Sequence, residues 1–162
     1  MAGGMARRPR GRASERGAAA VEFALVVPVL LVLLFGIIGY GYMLSFRQAL
    51  SQGAAEGARA AAVKPSGTAT TTLQTVMRAA VDDALGSYGV RCNGTSLEHQ
   101  TGGSWAPAGS CTLTVAACTN NATATCATVA LSYTYSDDPL IPKVPLVPLP
   151  ETLTYSTSVE IN

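Results

Sequence analysis

The sequence predicts an α+β fold built from a long N-terminal helix, a second amphipathic helix and a three- to four-stranded antiparallel sheet. Three observations lead there. Phe23 to Leu44 is a run of 22 residues without a carboxylate, amine or guanidinium side chain. Leu73, Val76, Met77, Ala80, Val81, Ala84 and Leu85 then recur with the i, i+3, i+4, i+7 spacing of a half-buried helix. From Tyr88 onward the apolar period drops to two, the signature of strands with one wet face.

The first helix comes from the uncharged run. At ~1.5 Å per residue it is ~33 Å long, enough to cross a hydrocarbon core of about 30 Å. Helical character continues through SFRQALSQGAAEGARAAAV to Val63 and is stopped by Lys64-Pro65. The expected element is therefore one helix from Phe23 to Val63, half in lipid and half exported, with Pro28 bending its start. Ala49, Gly53, Gly57 and Ala61 recur every fourth residue as a small-residue stripe. Such a stripe admits a close backbone, either of its own domain or of a neighbouring subunit.

Charge sets the orientation. Residues 1–17 carry five arginines and Glu15, a net +4, whereas residues 18–162 sum to −3. Positive charge beside a spanning segment holds that end in the cytoplasm, so the chain is read as single-pass, N-terminus in, C-terminal domain outside. A basic tail this close to a membrane helix argues for lipid and against nucleic acid. Residues 1–15 lack apolar periodicity and are read as unstructured targeting sequence.

Beyond the membrane segment about 115 residues remain, enough for one small domain. Its second helix is expected to stop at Gly86 or Gly89. Tyr88–Cys92 reads as a short strand and residues 93–110 as a Gly/Ser-rich connection with room for another. Cys111–Ala117, Thr128–Tyr135 and Leu153–Ile161 alternate as strands. Residues 139–150 hold Pro139, Pro142, Pro145, Pro148 and Pro150, which favours a stiff extended connector before the last strand over a partner-docking surface. Cys92, Cys111, Cys118 and Cys126 all fall in the exported part, which reads as two disulfides. Four cysteines allow three pairings. A hairpin of the first and second of these long strands would be closed by Cys118 and Cys126, which favours Cys92–Cys111 with Cys118–Cys126.

Catalytic parts are scarce. His99 is the one histidine, no Cys spacing suits zinc, and there is no phosphate loop or nucleophile elbow. No catalytic, cofactor or metal residues are assigned, and no small-molecule substrate is expected. Asp82-Asp83 and Asp137-Asp138 read as solvated pairs. Asn93-Gly-Thr and Asn121-Ala-Thr match a glycosylation sequon that carries no information here.

Glu22 is the exception at the edge of the apolar run. Cleavage between Gly17 and Ala18 would make it the fifth residue of a new chain, one helical turn from a new ammonium at Ala18. Pairing between one subunit's Glu22 and another's Ala18 amine would offset their cost in lipid, ~2.5–3.5 kcal/mol for a charged side chain at mid-bilayer. The competing explanation is a carboxylate in the headgroup region, favoured by the helix N-terminal dipole.

A basic leader, then Gly17-Ala18, then Glu22-Phe23 before a long apolar helix, resembles the prepilin class of signal. RGAAAVEFALVVPVLLVLLFGIIGYGYMLSFRQALSQGAAEGARAAAV more closely resembles the TadE-like family of pilus-assembly proteins. Arg16-Gly17, Val21-Glu22-Phe23-Ala24-Leu25 and Pro28 match its R-G-x-x-x-V-E-F-A-L-x-x-P opening. Ala54-Ala55-Glu56-Gly57-Ala58-Arg59 matches its second segment, with Ala55 where an Arg is common. Gly39-Tyr40 replaces the acidic–aromatic pair of many members. The resemblance implies a pilin-like fold and a minor pilin or pseudopilin of a tight-adherence pilus, acting in assembly and not in catalysis. It implies a leader at 1–17, a transmembrane helix at 18–44, its exported continuation at 45–63 and a head at 64–162. Its implied partners are a prepilin peptidase cutting at Gly17, the major pilin, companion pseudopilins and the inner-membrane pilus platform. The competing reading is an unprocessed single-span protein whose extracellular domain binds a surface.

Overall fold

Arg12–Ala62 forms a single 51-residue helix, α1, in the computed structural model, which describes residues 12–142 and 148–161. The helix begins inside the segment read from sequence as unstructured. Once a long helix exists, each added residue brings one hydrogen bond for one residue fixed, and Ala, Arg and Glu favour it. The rest of that segment, residues 1–11, lies outside the described residues. Pro28 is accommodated within the helix at the loss of one backbone hydrogen bond.

Coverage of α1 changes abruptly along its length. From Gly17 to Ile38 its residues are mostly exposed. From Gly39 onward Met43, Phe46, Leu50, Ala54, Ala58 and Ala61 are buried at spacings of three and four residues. The C-terminal half thus has a core-facing stripe, as a helix packed on one side must.

Helix α2 spans Thr70–Leu85 and buries Leu73, Met77, Val81 and Leu85, four positions of the sequence pattern. Gly86 does not stop the chain turning. A 3-10 turn runs through Gly86–Tyr88, and Gly89, with φ of 67°, ends it. That left-handed conformation is where glycine is least costly.

The sheet has five strands, one more than the upper expectation: β1 (Val90–Cys92), β2 (Ser96–Thr101), β3 (Ser104–Cys118), β4 (Asn121–Tyr133) and β5 (Leu153–Ile161). They pair in chain order, all antiparallel. The segment read mainly as a connection holds β2 and the first half of β3, joined by a turn at Gly102 and Gly103, both with positive φ. Pro107 and Gly109 hide this strand from propensity, and pairing to β2 overrides them. β4 ends at Tyr133, two residues before the expected Tyr135, because Asp137 and Asp138 N–H turn back onto the Thr134 carbonyl.

Both helices lie on one face of the sheet, α1 against β4 and β5 and α2 against β1 and β3. The shared core includes Leu97, Cys111, Val129, Leu131 and Tyr133. The far face is wet, with Thr128 bonded to Ser158 and Ser132 to Thr154. Disulfides join Cys92 to Cys111 and Cys118 to Cys126. The first ties β1 to β3 across β2, and the second closes the β3–β4 hairpin. The sequons act as turns: Asn93 Oδ1 accepts from Thr95 and Ser96 N–H, and Asn121 Oδ1 from Thr123 N–H.

Candidate functional site

The first half of α1 offers a continuous surface to something outside the chain. Val21, Phe23, Leu25 and Ile37 are among its exposed apolar residues, with Phe23 71% exposed. The helix is long and apolar enough to cross a membrane. Gly17, Ala18, Glu22 and Phe23 lie in its first exposed turns, with Ala18 and Glu22 one turn apart on the same side. A Cβ built on Gly17 would meet nothing within 4 Å. Packing therefore does not demand a glycine there, although one inside a helix costs roughly 0.5–1 kcal/mol relative to alanine.

The small-residue stripe lies elsewhere. Ala49, Gly53, Gly57 and Ala61 are buried beneath the chain's own head. A Cβ on Gly57 would lie 2.9 Å from Val81 Cγ2, 3.1 Å from Val129 Cγ2 and 3.3 Å from the Met77 carbonyl oxygen. The stripe lets α1 approach α2 and β4 closely, and it is not near Glu22. The four cysteines likewise sit in the head, away from the exposed helix.

Between the two halves of α1 is a junction that periodicity does not mark. Phe46 packs edge-on to Tyr133 at 4.8 Å between centroids, with Tyr42, Tyr88 and Tyr135 around it. The connector comes back to the helix just below this cluster. Ile141 Cδ1 is 3.6 Å from where a Cβ on Gly39 would be, and the Tyr40 hydroxyl donates to the Pro148 carbonyl at 2.8 Å. That distance is an ordinary van der Waals contact, so the connector packs over Gly39 without requiring a glycine there. Arg47, the first charged residue after Glu22, donates through Nε to the Tyr155 hydroxyl. Residues 143–147 of the connector lie outside the described residues.

The acidic pairs are not simply solvated. Asp82 Oδ1 accepts the Cys92 N–H at 2.6 Å, tying α2 to β1. Asp138 Oδ2 is 2.8 Å from His99 Nδ1, and Tyr133 donates its hydroxyl proton to Asp138. Sequence separation hid this network: His99 and Asp138 are 39 positions apart.

Burial pushes the Tyr133 hydroxyl well above the ordinary tyrosine value of 10.0, and the Asp138 carboxylate adds to the shift. Burial also raises Tyr135, whose hydroxyl has no partner among the described residues. Unfolded tyrosines ionise near pH ~10 while these stay neutral, so the folded head retains protons that the unfolded chain loses. Stability from this source is complete below that pH and falls as pH rises beyond it. Urea midpoints of the detergent-solubilised chain should therefore drop between about pH 9 and 11, and a Tyr133→Phe variant should show a shallower drop.

Two features bear on what the site does. Its ionised groups are few and dispersed, and among the described residues no three His, Cys, Asp or Glu side chains gather as metal ligands. Its largest uncovered surface is the apolar helix. The TadE-like protein family matches residues 17–59. No curated protein and no solved structure matches the chain. The matched segment starts at Gly17, holds Glu22, and runs through the exposed helix into the stripe beneath the head. Over residues 17–59 this chain is similar to the TadE-like proteins, a likeness that associates that segment with the assembly of tight-adherence pili.

Proposed function

We propose that the chain is a minor pilin or pseudopilin of a tight-adherence pilus, cut between Gly17 and Ala18 by a prepilin peptidase. Residues 18–44 then span the cytoplasmic membrane, 45–63 carry the helix outward, and 64–162 complete an exported head. The observation that carries this reading is the uncovered apolar surface of α1 up to Ile38, within the TadE-like segment, with Glu22 as its one carboxylate. In a bundle of such helices Glu22 meets the Ala18 ammonium of a neighbour, which fixes axial register. Major pilin, companion pseudopilins and the inner-membrane platform are the partners this role requires. Gly17 supports the cleavage step, because its missing side chain serves no contact in the fold.

The test is the N-terminal sequence and intact mass of the membrane-extracted protein, with and without the peptidase. A chain beginning at Ala18 only in its presence is expected. Glu22→Ala should leave that cleavage intact and remove most of the protein from assembled pili, measured by immunoblot of sheared fibres. A chain that keeps its arginine leader would overturn this reading in favour of a tethered binding domain.

A further inference from the structure

We propose that the head is seated on the outer leaflet of the membrane, with Ile141, Pro142 and Pro148 at the acyl–headgroup boundary and Arg47 at the depth of the lipid phosphates. The inference rests on the membrane-spanning, N-in reading above and extends it to a lipid contact made by the head.

Depth along α1 is the first argument. With Glu22 at the inner edge of the hydrocarbon, an upright helix places Tyr40 ~27 Å further out, just short of the far edge of a core of about 30 Å. Tilting brings it deeper. Ile141 packs over Gly39 and the Pro148 carbonyl bonds to Tyr40, so both described ends of the connector are held at that level. By the same measure Arg47 is ~37 Å from Glu22, within the headgroup region.

The backbone chemistry of the connector is the second argument. A non-helical segment at the edge of hydrocarbon must leave no polar backbone group unpaired. Proline has no N–H to satisfy, and Pro142 and Pro148 stand at the two described ends. The Pro148 carbonyl is satisfied by Tyr40, an aromatic residue of the type that gathers at membrane surfaces.

The third argument is polarity. A groove of about 650 Å³ opens between α1 and the returning connector. Tyr40, Leu44 and Leu149 line its membrane side, and Arg47 with Tyr155 its outer side. Apolar below and cationic above is the order of a phospholipid in the outer leaflet.

Tryptophan depth measurements on the full chain in phospholipid vesicles test this. Trp105, the one native tryptophan, is replaced by Phe, and single tryptophans are introduced as Pro142→Trp, Pro148→Trp, Val32→Trp in mid-helix, and Thr119→Trp in the β3–β4 turn. Lipids brominated near the headgroup end of their acyl chains are expected to quench tryptophan at 142 and 148 several-fold more than at 119. Quenching at 142 and 148 no stronger than at 119, with Val32→Trp strongly quenched by deeper bromines, overturns the seat while the membrane span stands. An unquenched Val32→Trp overturns both.

Discussion

Gly109→Ala is expected to destabilise the head by at least about 3 kcal/mol, a fall in Tm of about 12 °C or more for a domain of this size. Gly109 lies at the irregularity where β3 changes register against β2: Leu97 faces Gly109, but Glu98 faces Pro107. On its other side it pairs with Tyr133 of β4. A Cβ there would overlap the Ser132 carbonyl oxygen and lie 2.9 Å from both the Ser132 carbonyl carbon and Tyr133 Cα. All three are backbone atoms, so no side chain can swing aside. The strands must separate, and the adjoining Thr134 N–H to Ala108 carbonyl bond would be strained with them. Gly86→Ala is the control, since nothing lies within 4 Å of its Cβ and its φ of −58° suits any residue. It should be neutral or stabilise by up to ~1 kcal/mol through the unfolded chain. Thermal melts of both variants in detergent decide it, and equal melting temperatures would refute the steric account.

Gly57→Leu is the second large effect, expected to cost about 3 kcal/mol or more. Even the first added carbon falls within 3.3 Å of Val81, Val129 and the Met77 carbonyl. A leucine there must push α1 off α2 and β4 together. Gly53→Ala one turn earlier is the contrast: its Cβ would make ordinary contact, 3.4 Å from the Ala84 Cβ. Replacing a helical glycine there recovers up to about 1 kcal/mol of helix propensity, so that variant should match or exceed the parent in stability. Val81→Ala should rescue part of Gly57→Ala by removing the nearest methyl, a coupling that a double-mutant cycle measures. A Gly57→Leu chain with an unchanged Tm but no assembly would instead place this stripe between subunits.

The two glycines differ in how far they could be foreseen. Gly57 belongs to a four-residue repeat visible in the sequence, which says that something comes close but not what. Gly109 stood in a segment read as a connection. The pair Pro107 and Gly109 inside an otherwise β-compatible run was its only signal, since an isolated strand glycine often marks a bulge or a close backbone approach.

Local pattern carried most of the architecture. The uncharged run produced α1, the three- and four-residue spacing produced α2, and alternation produced β5 and the paired halves of β3 and β4. These periodicities are written by which side of each element is wet, so neighbours in sequence suffice to read them. The segment similar to the TadE-like family was legible for the same reason, being contiguous. Pairing between distant segments decided the rest. β2 exists because β1 and β3 flank it, and the reach of α1 back to Arg12 follows from helix propagation. Asp82 and Asp138 acquire partners from other elements, and the connector returns to the helix at Gly39 and Tyr40, the latter from 108 positions away. Such contacts depend on where the core brings residues together, which no short window of sequence contains.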